Sequence, residues 1–157
     1  MIKWIYRPKM YVRRMIPHED VDLLEVARFK SQNRDITRPV ILNSRTDISM
    51  DGHYSYTILD GHHRVASRII EEHGLIPAVL LDMHDDRIVL QWRRPEYENN
   101  TKLDVHKRSL EGRLYPIKTT KFMYRRKDNT LIPIGRMFTL KDEQAVYTGD
   151  NYGGEKR

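Results

Sequence analysis

Five consecutive residues carry the densest chemistry in the chain: Asp60, Gly61, His62, His63 and Arg64, set in the stretch ILDGHHRVA over residues 58–66. An arginine offers a planar fork matched to phosphate oxygens. An imidazole can donate to a phosphate, carry a proton or ligate a metal. The flanking apolar residues suit a strand before the quintet and a helix after it, so Asp60 ends the strand and Gly61 lets the backbone turn. His62, His63 and Arg64 then fill the first helical turn. A helix start presents unpaired N–H groups and about half a positive charge, an anion site in itself. A merely polar strand-to-helix turn is the plain alternative, and spacing alone leaves both open. Zinc is not expected, because adjacent histidines diverge by about 100° on a helix and neither has a histidine partner four residues on. Magnesium, which needs few protein ligands, could be held by Asp60 together with phosphate oxygens.

The elements around the turn follow from hydrophobic periodicity. MYVRRM (10–15) alternates like a strand and ends at Pro17. DVDLLEVARFK (20–30) has helical spacing with acids at its start, and RPVILN (38–43) is a short buried strand. Asp51-Gly52 reads as a hairpin turn leading into the strand YSYTILD (54–60). After Gly61 the apolar stripe Val65, Ala66, Ile69 and Ile70 marks a helix, with Gly74 as its C-terminal cap. Strands follow at IPAVLLD (76–82) and RIVLQW (87–92), joined by Asp85-Asp86. Thr101 caps a helix through Glu111, with Asp104 completing a capping box and Gly112 ending it. KFMYRR and TLIPI flank Asp128-Asn129 as a second hairpin. The expected class is α+β, a mixed sheet with about three main helices in a single domain over residues 1–148. The polar segment 149–157, GDNYGGEKR, reads as a flexible C-terminal tail.

The 157 residues suit one hydrophobic core. No apolar run approaches the roughly 20 residues of a membrane span. The N-terminal MIKWIYRPKMYVRR lacks the apolar core and cleavage site of a secretion signal, so a cytoplasmic location is expected. Cysteine is absent, which excludes disulfides, thiolate ligands and cysteine nucleophiles. The net charge of +6 is concentrated in the two ends, whereas the segment holding DGHHR is itself acidic. Such a balance suits nucleic acid, a nucleotide or another small polyanion. His53, His73, His84 and His106 show no partner spacing and are expected at the surface.

The run PVILN…TILDGHHRVAS resembles the ParB/sulfiredoxin-like superfamily, which shares a phosphate-binding turn at the start of a helix. Sulfiredoxin activity is excluded, because His62 stands where those enzymes carry cysteine. Chromosome-partitioning members have a GERR-type turn and a following helix-turn-helix domain, for which this chain is expected to be too short. The free serine kinases and their siderophore-pathway relatives are similar at four ordered points between about residues 10 and 122. These are Pro17-His18-Glu19, the DGHHR turn, Trp92-Arg93, and the segment from Glu111, Gly112, Arg113 and Leu114 through Pro116 to Lys118, Thr119 and Thr120. Two departures stand out: Lys121 and Phe122 occupy positions where those kinases carry Arg and His, and the chain is shorter.

The resemblance implies a kinase that uses ADP or ATP, with Mg²⁺, to phosphorylate the hydroxyl of a small metabolite, by default serine or a serine-like amino acid. Gly61, His62, His63 and Arg64 would seat the donor phosphates, with Asp60 and His62 also in the catalytic set and Asp60 a candidate Mg²⁺ ligand. Glu19 would accept the hydroxyl proton. His18, Trp92, Arg93, Lys118, Thr119, Thr120 and Lys121 would face the substrate. Residue by residue, plainer roles remain: Glu19 as a helix-start acid, Trp92 as an aromatic at a strand end, Lys118 as a strand entrance. Two other functions are compatible, a ParB-like module that binds or cuts nucleic acid, and a nucleotide-binding regulator without catalysis. The aromatics Trp4, Tyr6, Tyr11 and Tyr124 lie near basic residues as a single-strand binder would place them, and equally as strand alternation would. No membrane partner is expected.

Overall fold

In a computed structural model of the chain, residues 2–31, 37–45, 47–48, 54–70 and 74–153 are described. The expected Asp51-Gly52 turn, His53 and His73 lie outside the described residues. The largest sheet is mixed and has the order β1(Trp4–Tyr11), β6(Leu75–Leu81), β3(Val40–Asn43), β5(Tyr54–Asp60), β2(Met15–Ile16), with β4(Asp47–Ile48) also paired to β5. β3 runs parallel to β6, and β2 parallel to β5; the other pairs are antiparallel. A three-stranded antiparallel sheet holds β7(Ile88–Trp92), β8(Thr120–Arg125) and β9(Leu131–Pro133). A hairpin of β10(Phe138–Lys141) and β11(Gln144–Tyr147) completes the strands. The helices are α1(Leu23–Ser31), α2(His62–Ile70) and α3(Lys102–Glu111).

Strand alternation divides the core in two. Val40, Leu42, Ile58, Ala78 and Leu80 point to one face and pack with Val65 of α2, Val12 and Met15. Ile41, Leu59, Val79 and Leu81 point to the other and meet Val105 of α3, Phe122, Tyr124 and Phe138. The second cluster joins the two larger sheets and so fixes what stands at their shared end.

Several expectations hold as written. Thr101 and Asp104 form the capping box reciprocally, and Gly112 ends α3 in the left-handed region at φ 70°. Others shift. The strand expected over 10–15 is broken by a 3₁₀ turn at Val12–Arg14, which brings Val12 and Met15, three residues apart, into the same buried cluster. Ile69 is 53% exposed, whereas Val65 and Ser67 of α2 are buried. His106 is buried, bonded at 3.2 Å to Asn43, and is not a surface residue. The β10–β11 hairpin was not expected. Beyond it Gly149–Asn151 form a 3₁₀ turn, with Gly149 buried and the Arg126 guanidinium donating to its carbonyl at 2.9 Å. The segment read as a tail therefore begins docked; residues 154–157 lie outside the described residues.

Candidate functional site

Gly61 adopts φ +106°, and a Cβ there would stand 2.7 Å from Val40 Cγ1, so the turn requires glycine twice over. Having no side chain, it offers the first amides of α2 no cap, and no side chain accepts from them among the described residues. The two histidines are spent in a way the sequence did not disclose. His62 Nε2 accepts the His18 backbone N–H at 3.2 Å, and His63 Nε2 accepts that of Asp22 at 3.0 Å. The network assigns each ring proton to Nδ1. Burial first, then the neighbouring His18 and His63, push the His62 pKa well below the ordinary imidazole value. A Glu25 carboxylate oxygen also lies 3.2 Å from His63 Nε2, a contact that becomes attractive only if this nitrogen gains a proton and gives up Asp22. The pair of imidazoles thus pins residues 18–22 across the opening of α2.

Arg64 lines the cleft and also braces the turn. One terminal nitrogen donates to the Arg38 carbonyl at 2.6 Å and the other to Asp60 Oδ2 at 2.8 Å. Two of the five N–H donors are thus used within the turn, and the remaining three have no partner among the described residues, beside the backbone amides at this wall. Asp60, the candidate Mg²⁺ ligand, also lines the cleft. One of its oxygens is bonded to a guanidinium, and the carboxylate lies so close to Gly135 that a Cβ there would fall within 2.9 Å of both oxygens. Among the described residues no group of three His, Asp or Glu could hold a metal ion.

The facing wall is built on Glu19. Its Oε1 accepts from the Lys118 amide at 2.5 Å, and its Oε2 accepts from the Thr120 amide at 3.0 Å and the Thr120 hydroxyl at 2.7 Å. Since that hydroxyl donates to Glu19, it must accept from His18 Nε2, which lies 2.7 Å away. His18 is wholly buried, its Nδ1 has no hydrogen-bond partner among the described residues, and burial lowers its pKa to about 4 against a smaller opposing effect of the Ile58 backbone. A neutral imidazole therefore orients a hydroxyl, which orients a carboxylate.

The loop that meets Glu19 is held from several sides. Lys118 sits at φ 56°, a left-handed conformation in which non-glycine residues are uncommon. Arg94 donates twice to the Ile117 carbonyl, and Arg108 donates to the carbonyls of Arg113 and Leu114 while lying 3.9 Å above the Tyr115 ring. Thr119 is buried, its hydroxyl closing onto the Pro116 carbonyl at 2.6 Å. Such over-determination keeps a strained backbone in place.

Between the two walls lies a cleft of about 430 Å³. Of the residues singled out in the sequence, Glu19, Asp60, Gly61, His62, His63, Arg64, Arg93, Lys118, Thr120 and Lys121 line it together. His18 and Thr119 stand behind its wall. Trp92 does not face it, packing instead against Tyr97 and Tyr115. Phe122 does line it, in edge contact with the His18 ring. Arg93, Lys118 and Lys121 make no side-chain hydrogen bond or ion pair among the described residues, so three unspent cations face the α2 opening. Sequence reasoning missed Arg94 and Arg108, whose work depends on a loop fold that local pattern does not encode.

Among curated proteins, a ParB-like protein from Sulfolobus acidocaldarius is 32% identical over 105 residues, 64% of this chain. The chain is similar to ParB-like proteins. It spans about half the length of that ParB-like relative, 49%. No family model matches. Its α+β architecture, three helices with a mixed sheet, is the one expected from the ParB/sulfiredoxin-like resemblance. Among solved structures, a conserved hypothetical protein from Pyrococcus furiosus aligns at TM-score 0.46 with 24% identity, covering 58% of this chain and 37% of that one. A free serine kinase in complex with AMP aligns at TM-score 0.46 with 23% identity over 58% and 36%. C-terminally truncated SbnI from Staphylococcus aureus aligns at 0.43 with 19% identity over 55% and 34%. No helix among the described residues is long and apolar enough to cross a membrane.

Proposed function

We propose that the cleft binds a nucleoside di- or triphosphate and transfers its terminal phosphoryl group to the hydroxyl of a small metabolite, serine or a serine-like amino acid by default. The supporting observation is the confrontation, across one cleft, of an uncapped helix start, three unspent cations and an oriented carboxylate. Phosphoryl transfer asks for little else: positioned phosphates, neutralised charge and a group that orients the attacking oxygen.

On this reading the amides opening α2 and the Lys121 and Arg93 side chains hold the phosphates. Glu19, with three of its lone-pair positions taken by the loop, keeps one side toward the cleft and accepts the proton of the attacking hydroxyl. As the new oxygen–phosphorus bond forms, the bond to the leaving nucleotide breaks, and the surrounding cations stabilise the charge left there.

The test is an assay of purified protein with ADP or ATP, supplied with Mg²⁺, against amino acids and other hydroxylated metabolites, alongside DNA retention at moderate salt. Phosphorylated product with a hydroxylated acceptor supports the proposal. Tight, steeply salt-dependent DNA binding with no phosphorylated product overturns it in favour of a nucleic-acid module.

A further inference from the structure

Three arginines gather near the Asp60 end of the cleft. Arg64 is bonded to Asp60, and its other nitrogen reaches the Arg38 carbonyl. The carboxylate rests on Gly135, whose next residue is Arg136. Arg38 is half-buried, and neither it nor Arg136 makes a side-chain hydrogen bond or ion pair among the described residues. Arg38 feels its neighbours: burial, then Arg136 and Arg64, lower its pKa from the ordinary guanidinium value, with Asp60 and Tyr152 pulling the other way. Clustered cations with a single, already committed carboxylate leave an electrostatic deficit that an anion would fill.

An aromatic ring completes the cluster. Tyr152 is 38% exposed and lies with the Arg136 guanidinium 5.3 Å from its centroid. Its position is fixed from behind, because Arg126 donates to the Tyr152 carbonyl at 2.5 Å and to that of Gly149 at 2.9 Å. Gly149 in turn packs so closely on Tyr147 that a Cβ there would stand 2.7 Å from the phenol oxygen. The ring is therefore presented on a docked turn. A flat ring beside unspent guanidinium groups matches a nucleobase attached to phosphate: the base stacks and the arginines take anionic oxygens. An acidic side chain alone would use the arginines and leave the ring idle.

We propose that Arg38, Arg136 and Tyr152 form a second recognition patch, continuous with the cleft at Asp60 and Arg64, that receives the nucleoside end of a nucleoside polyphosphate. The base lies on the Tyr152–Arg136 pair, and Arg38 meets the phosphate nearest the sugar. This rests on the reading of the cleft as a polyphosphate site. Two of its three residues, Arg136 and Tyr152, lie outside the stretch 10–122 that carried the family resemblance.

The test compares ADP with inorganic pyrophosphate, which has no base, by titration calorimetry of the full chain and of Tyr152→Ala, Tyr152→Phe and Arg136→Ala. The expected result is a loss of roughly tenfold in ADP affinity for Tyr152→Ala, with pyrophosphate affinity changed less than about twofold and Tyr152→Phe close to the parent. Arg136→Ala is expected to weaken ADP more than pyrophosphate. If Tyr152→Ala leaves ADP binding unchanged, or weakens both ligands equally, the patch is overturned while the cleft reading stands. If the parent protein binds neither ligand, both readings fall. Unchanged melting of Tyr152→Ala would separate lost recognition from lost folding.

Discussion

Replacing Glu19 by alanine removes more than a candidate proton acceptor. Three donors converge on this carboxylate: the amides of Lys118 and Thr120 and the hydroxyl of Thr120. A hydrogen bond to a charged group contributes about 1.5–3 kcal/mol when partly buried, and little where water can replace it. Taking the low figure for the two Thr120 bonds and nothing for the exposed Lys118 amide, Glu19→Ala is expected to cost about 3 kcal/mol. For a chain of this size that corresponds to a fall of roughly 6–12 °C in melting temperature. The left-handed Lys118 loses the contact that holds it, so amide exchange at residues 118 and 120 should accelerate together. Calorimetry and residue-resolved hydrogen exchange read both effects. Glu19→Gln keeps one acceptor but turns an amide N–H₂ toward a backbone donor, and should fall between parent and alanine. If Glu19→Ala melts within about 1 °C of the parent and exchange at 118 and 120 is unchanged, the carboxylate does not clamp this loop. Any activity lost in Glu19→Ala must then be weighed against the displaced cations of the same loop before it is assigned to proton transfer.

Further outcomes can be stated. Gly61→Ala forces a side chain onto φ +106° and into Val40, and should cost roughly 3 kcal/mol, read as a lower urea midpoint. His18 takes a proton only near pH 4 in the folded chain, and His62 also well below its ordinary value, whereas the unfolded chain protonates both near the ordinary imidazole value of about 6.5. Stability should therefore be fully present above that pH and fall as pH drops toward about 4, by up to about 1.4 kcal/mol per pH unit for each imidazole. A denaturation series showing no decline over that interval would contradict neutral burial of the pair. Arg108→Leu removes two carbonyl contacts and the stack on Tyr115; a loss of about 1–3 kcal/mol is expected, with faster exchange from residue 113 onward.

What the sequence disclosed was local. Thr101, Asp104 and Gly112 act on their own helix, and the strand–glycine–helix order of DGHHR needs no distant partner, so both were readable in one dimension. The hairpin Phe138–Tyr147 was missed because its turn residues, Asp142 and Glu143, take positive φ without a glycine to announce it. His106 was misplaced because its partner Asn43 lies 63 residues away. The purposes of His62, His63 and Arg64 were hidden for the same reason. Their types suited an anion, and the fold commits one nitrogen of each histidine and two of the arginine's five donors to protein partners. The cleft was foreseeable as a set of residues, but not the division of labour within it.

The outermost strand β1 deserves a last consequence. Pro8 interrupts it where its register with β6 slips between Arg7 and Met10, and Arg7 and Lys9 flank the break on exposed positions. A foreign strand trying to extend the sheet on that side meets a missing donor, a kink and two like charges. The fold thereby guards its open border against self-association, and a concentrated solution should stay free of edge-to-edge stacking that Pro8→Val with Lys9→Thr would invite.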